Sequence, residues 1–337
     1  MSDIHLLTEE TSIKATWLTE LARAFNHPHD LLHYLELDPT EFERDSQARR
    51  LFALRVPRAF ADKMRKGDRT DPLFLQAMSL QQEFTDVPGF VTDPLEEQHS
   101  PAPNILHKYH NRVLFMLKNS CAINCRYCFR RHFPYDDIKS GKTTWQQSLT
   151  YIRQHNEIEE VILSGGDPLM AKDHEIDWVL TELERIPHVK TLRIHSRLPV
   201  VIPNRITPEL CARFSDSPLS VVLVTHINHA NEIDTVFAQK MDLLKQAGVV
   251  LLNQSVLLKG VNDDPHILKA LSDKLFHYGI LPYYLHLLDK VAGAAHFYVE
   301  DERASEIYQT LQRITSGYLV PKLAREIAGE AHKTLMK

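Results

Sequence analysis

From Arg112 onward the chain repeats one pattern, a short apolar and β-branched run followed by a longer amphipathic stretch. The runs are Arg112–Lys118, Val161–Ser164, Leu192–His195, Leu219–His226, Val249–Leu258 and Leu281–Leu288. Between and after them, helical spacing of apolar positions marks Trp145–His155, Asp173–Ile186, Pro208–Phe214, Glu232–Ala247, Pro265–Tyr278 and Ala304–Thr315. Strict strand–helix alternation calls for a parallel sheet with right-handed crossovers, because a parallel neighbour is reached only by a long connection over the sheet face. Six units fall short of the eight-fold barrel. The expected fold is therefore α/β, a six-unit (β/α)6 partial TIM-type barrel with an N-terminal helical extension. A doubly wound open sheet is the alternative, since alternation alone does not say whether the sheet curls. In either case the chemistry belongs on loops beyond the carboxyl ends of the strands.

Residues 1–105 read as the helical extension and connector, 106–320 as the barrel, and 321–337 as a C-terminal segment. The extension carries apolar positions at helical spacing in Trp17, Leu18, Leu21 and Phe25 and again in Leu31, Leu32, Tyr34 and Leu35, and the proline-rich stretch Val87–Asn104 ends it. With 39 basic and 44 acidic residues the chain is slightly acidic and has no Lys/Arg blocks. That argues against a nucleic-acid binder that tracks the phosphate backbone. No apolar run approaches the roughly 20 residues that cross a bilayer, and the opening MSDIHLLTEE is acidic where a secretory leader is basic. A cytoplasmic protein without membrane or nucleic-acid partners is expected, with a homo-oligomer left open. Its 19 histidines are scattered and read as mostly surface and loop residues.

Three of the four cysteines, Cys121, Cys125 and Cys128, fall within eight residues directly after the first run. An odd, tight group is not a disulfide framework, and it lies where the carboxyl-end rule puts chemistry. A structural zinc site would need a fourth protein ligand, for which His132 is the nearest candidate. A [4Fe–4S] cluster held by three thiolates keeps one iron open for a substrate or cofactor. The next strand ends in Ser164-Gly165-Gly166-Asp167-Pro168, two of only 11 glycines, placed where backbone can approach a ligand.

Cys-x3-Cys-x2-Cys with Tyr127 before its last cysteine, on the first strand–helix loop, resembles the radical S-adenosylmethionine (SAM) superfamily. Together with HKYHNR (His107–Arg112), CFRR (Cys128–Arg131), SGGDPL, THINH, NQSVLLKGVND and the C-terminal half, the chain resembles the lysine 2,3-aminomutases from about Asp93 onward. Within them it is most similar to the short bacterial members that make (R)-β-lysine for modification of elongation factor P. The resemblance implies three cofactors: a [4Fe–4S] cluster, SAM and pyridoxal 5′-phosphate (PLP). It implies an isomerisation in which the amino group of L-lysine moves from carbon 2 to carbon 3, started by a radical made from SAM and an electron from a cellular reductant.

By the same resemblance Cys121, Cys125 and Cys128 ligate the cluster, Tyr127 lies beside it, and Gly165, Gly166 and Asp167 form the loop against the methionine moiety. His226 and Gln254 are implied as further SAM contacts. Arg130 is implied to grip the substrate carboxylate, with Asp289 and Glu326 taking its distant ammonium. Arg112 and Lys108 are implied near the PLP phosphate, and Lys333 is the implied catalytic, PLP-binding lysine, with Lys322 as fallback. Three positions depart from the family pattern: Lys108 replaces an arginine, Glu326 an aspartate, and only Gly329 survives of the glycine run before Lys333. Longer members carry extra C-terminal cysteines for zinc; no zinc is expected here, and Cys211 reads as a small buried side chain. The alternatives are an aminomutase for another cationic amino acid or a non-catalytic iron–sulfur binding module.

Overall fold

The structure is a computed structural model and describes residues 17–97, 100–135 and 141–336. Among the described residues nine strands form one sheet in chain order: β1 (Ile105–Tyr109), β2 (Arg112–Lys118), β3 (Glu160–Gly165), β4 (Thr191–Ser196), β5 (Ser220–His226), β6 (Val250–Leu257), β7 (Leu281–Leu287), β8 (Lys322–Arg325) and β9 (Thr334–Leu335). Strands β2 to β8 run parallel, while β1 and β9 pair antiparallel at the two edges. A doubly wound sheet reverses its strand order at a switch point. This order never reverses, so successive right-handed crossovers stay on one face and the sheet curls into a partial barrel. Strands β2 to β7 are the six expected ones. β1, β8 and β9 are additions, so the segment after residue 320 is part of the sheet.

Six helices cover the outer face: α1 (Lys142–Gln154), α2 (Asp173–Glu184), α3 (Pro208–Ser215), α4 (Thr235–Gln246), α5 (Pro265–His277) and α6 (Asp301–Ile314). Each buries one stripe. In α2 it is Ile176, Val179, Leu180 and Leu183, the i, i+3, i+4, i+7 spacing that meets a sheet. Cys211 sits in the buried stripe of α3. Thr207, Asp234 and Asp264 cap α3, α4 and α5 by accepting hydrogen bonds from first-turn amides.

The N-terminal extension is a string of short helices, including Pro28–Tyr34 and Pro72–Ala77, joined by 3-10 turns. Its Leu31, Phe42, Val56 and Phe74 belong to the same apolar cluster as Val161, Ile194 and Leu223 of the barrel. Extension and barrel therefore exclude water together. No helix among the described residues is long and apolar enough to cross a membrane.

Inside the barrel, side-chain alternation puts polar groups on the concave face. Glu160, Ile162 and Ser164 of β3, Arg193 and His195 of β4 with Arg197 just beyond it, and Tyr284 and His286 of β7 line one cavity at every second position. The sheet stays open between its two edges, β1 and β9. Side chains span that gap: the Tyr109 hydroxyl donates to Glu326 Oε1 at 3.1 Å, and Lys108 Nζ lies 3.6 Å from the same oxygen.

Candidate active site

The cavity has a volume of about 730 Å³, toward the upper part of the roughly 300–1,000 Å³ usual for ligand sites. Every site residue read from the sequence lines it except Lys108. The fallback Lys322 is exposed and does not line it.

The cysteine loop follows β2. It is fastened to the N-terminal extension by backbone: Asn124 N donates to Arg55 O at 3.1 Å and Arg126 N to Gln76 O at 2.9 Å. Arg55 also reaches Cys121 O at 3.0 Å. Buried ion pairs add to this. Arg126 and Arg131 share the fully buried Glu83, and Arg130 Nε binds Glu97 Oε2 at 2.6 Å. Burial pushes the Cys121 thiol well up and that of Cys128 up to about 11. Arg197, beyond β4, donates to Cys125 Sγ at 2.8 Å and to the Tyr127 hydroxyl.

The glycine loop after β3 is shaped by this neighbour. A Cβ on Gly166 would lie 2.5 Å from Ser120 O and 2.6 Å from Ser120 N, and one on Gly165, at φ +109°, would lie 2.9 Å from Lys118 O. The glycines are thus required by backbone meeting backbone, a reason that the sequence reading, which looked to a ligand, did not see. Asp167 serves the same junction. Its buried carboxylate accepts from the amides of Leu169, Arg197 and Leu198 and from Ser196 Oγ at 2.7–3.0 Å. It fixes the loops after β3 and β4 and has no oxygen left over to reach far into the cavity.

On the other side lie Lys333, Glu326 and Asp289. Lys333 Nζ bonds Glu326 Oε2 and stands 5.9 Å from the Tyr284 ring centre. Burial alone would raise the Glu326 carboxyl, but Lys333 and Lys108, with the Tyr109 hydroxyl, hold it at about 2. Asp289 is the converse. Burial, then the negative charge of Glu326, push it up to about 7, and among the described residues no donor hydrogen-bonds its side chain. Lys108, expected at a phosphate, does not line the cavity. Its ammonium is held by Glu97 at 3.1 Å and the Leu95 carbonyl at 3.3 Å, outside the cavity wall. Arg112 does line the cavity, its guanidinium 4.1 Å from the Tyr109 ring centre.

Three histidines line the site and not the outer surface. His195, His226 and His286 are half-buried in the cavity wall. Burial, and after it neighbouring cations, lower all three, His226 and His286 to about 3, so each ring is neutral at pH 7. His226 Nε2 lies 2.8 Å from the Gln254 amide nitrogen, whereas His195 Nε2 and Arg193 Nε are buried without a partner. Period-two polar residues inside apolar strands, such as Arg193-x-His195-x-Arg197, were the available signal.

Residues 117–271 match the family model described as the Radical SAM superfamily. A Haemophilus influenzae protein named L-lysine 2,3-aminomutase is 61% identical over 335 residues, covering 98% of this chain and 99% of its own. The chain belongs to the lysine 2,3-aminomutase family. Relatives of the same name from Escherichia coli and Clostridium subterminale are 57% and 35% identical, covering 98% and 94% of this chain and 97% and 77% of their own.

A [4Fe–4S] cluster, SAM and PLP go with this aminomutase family, and the residues present fit them. Among the described residues, no three His, Cys, Asp or Glu side chains are placed to hold one metal ion. His132 Nε2 is turned to Ala292 O at 3.0 Å. Around the cysteines, four guanidiniums (Arg126, Arg130, Arg131, Arg197) meet three paired carboxylates (Glu83, Glu97, Glu232). Guanidiniums fixed this near the three thiols suit an anionic cluster. The orphaned His195 and Arg193 nitrogens and the inward Lys333 suit a polar ligand in the cavity.

Proposed function

We propose that the protein is a radical SAM, PLP-dependent L-lysine 2,3-aminomutase that makes (R)-β-lysine in the cytoplasm for modification of elongation factor P. One observation carries this reading: a single cavity is lined by three cysteines, by an amine, Lys333, and by a half-buried carboxylate, Asp289, with no hydrogen-bond donor on it among the described residues. When bound, the cluster with SAM supplies the carbon radical that removes a hydrogen from substrate carbon 3, and PLP supplies the conjugated frame across which the amino nitrogen shifts.

The chain's own residues do the rest. Cys121, Cys125 and Cys128 hold the cluster, and Gly165, Gly166 and Asp167 form the loop beside it. Arg130 already spends its Nε on Glu97, which leaves the Nη atoms, one of them 3.4 Å from Ser164 Oγ, for a carboxylate. Asp289 receives the ammonium of the lysine side chain, with Glu326 close to it. Glu326 holds Lys333 Nζ in place, and Arg112 and Arg193 offer cations for a phosphate. His226 and Gln254 lie near the cysteine side as contacts for SAM. Neutral histidines in the wall give hydrogen bonds without adding charge, and the shared core keeps water from a radical.

The test is anaerobic. After reconstitution with iron, sulfide and PLP, then addition of dithionite, SAM and isotopically labelled L-lysine, mass spectrometry should find β-lysine, and Cys125→Ser should make none. No product from a protein with full iron content and bound PLP would overturn the substrate assignment.

A further inference from the structure

Arg197 has no part in the reading above, yet it is held from more directions than any cysteine neighbour. It is 4% exposed. One terminal nitrogen donates to Cys125 Sγ and the Tyr127 hydroxyl; the other donates to Gln76 Oε1 and Glu232 Oε2, both at 2.9 Å. Glu232 is fully buried and is itself fixed by the amides of Asn228 and His229 at 2.9 and 3.1 Å and by Gln76 Nε2 at 3.2 Å. The Phe60 ring lies 5.4 Å from the guanidinium carbon. At the backbone, Asp167 holds Arg197 N at 2.8 Å. The fork is therefore clamped by the N-terminal extension, the glycine loop and the loop after β5, and it cannot swing off the sulfur.

We propose that Arg197 is a positioning residue for the iron–sulfur centre, acting through Cys125: its hydrogen bond and fixed positive charge on a ligand sulfur make the cluster easier to reduce. The proposal rests on Cys125 being a cluster ligand. Reduction takes one electron from an external donor and takes the cluster from its 2+ to its 1+ core state, so negative charge grows on the bridging and ligand sulfurs. A hydrogen bond to a ligand sulfur and a nearby cation favour the more negative state and raise the reduction potential. Glu232, 2.9 Å from the other terminal nitrogen, offsets part of that charge, so the hydrogen bond to Cys125 Sγ carries the larger share of the effect.

The choice of Arg over Lys follows from the clamp. A lysine could keep the charge but could not bond sulfur, hydroxyl, amide and carboxylate at once, because only the planar fork has donors aimed in both directions.

The experiment compares reconstituted wild type, Arg197→Lys and Arg197→Gln by iron and sulfide content, by circular dichroism, and by the cluster midpoint potential from a dithionite-poised electron paramagnetic resonance titration without SAM. The expected result is equal iron per chain with potentials falling in the order wild type, Lys, Gln. Equal potentials in all three would overturn the proposal. So would loss of the cluster from both variants with the fold intact, which would make Arg197 a builder of the loop instead. If Gln alone fails to fold, the Lys comparison decides on the same criterion. Failure of the wild type itself to bind iron would fault the cluster reading, a different outcome from equal potentials.

Discussion

At the scale of single residues, the consequences are steric and electrostatic. Gly166→Ala would drive a methyl group into the Ser120 backbone at 2.5–2.6 Å. Backbone cannot rotate aside, so we expect a loss of about 1–3 kcal/mol, the usual cost of overpacking, and chains that retain less iron than wild type after desalting. Asp289 gives a pH signature. Its folded value of about 7 lies above the roughly 3.9 of an unfolded aspartate. The protonated carboxyl therefore stabilises the ligand-free fold fully below about pH 4, and this stabilisation is lost as pH rises through 7. Binding an ammonium needs the ionised form and runs the other way. Lysine affinity of the PLP-loaded protein should tighten as pH rises through 7, and Asp289→Asn should bind more weakly with that dependence flattened, as calorimetry would measure. A wild-type affinity that is level across this range would remove Asp289 from the substrate site.

At the scale of elements, the six inner strands β2 to β7 were legible because each carries a short apolar, β-branched run between helices with clean stripes. The flanking strands were not. β8 is four residues with two cations, β9 is two residues, and β1 is joined to β2 by a tight turn without glycine. Those short strands matter most for the chemistry, since Glu326 and Lys333 lie on the connection between β8 and β9. The cysteines and the glycine loop could be read from spacing. Arg193, His195, Arg197 and His286 could not be weighed until the curl of the sheet put alternate positions into one cavity. The placement also separates two lysines. Lys333→Ala should abolish the absorbance of bound PLP, whereas Lys322→Ala, altering an exposed β8 side chain, should keep it; the reverse spectra would exchange their roles.

At the scale of the molecule, the N-terminal extension and the barrel act as one body around the cysteine loop. Glu83 in the extension is shared by Arg126 and Arg131 with all three side chains fully buried. Glu83→Gln would leave two buried guanidiniums without their anion, a kind of change that costs about 3–5 kcal/mol. We expect a lowered urea midpoint and poor iron incorporation together; a stability loss with normal iron content would show that the extension supports the fold without shaping the loop. On the opposite side, Tyr109 and Lys108 of β1 reach Glu326 on the connection between β8 and β9, so the site's own carboxylate helps to close the barrel.

A sheet whose spatial order repeats its chain order also has a history. Each new strand–helix unit finds its partner already made, and no strand waits across a long loop for one still to come, which keeps most contacts local and their closure entropy small. Growth from the ribosome can then follow the same direction as growth of the sheet. The extension, made first, is the exception: Gln76 and Glu83 are synthesised before every arginine they hold, Arg126 and Arg131 on the cysteine loop and Arg197 after β4.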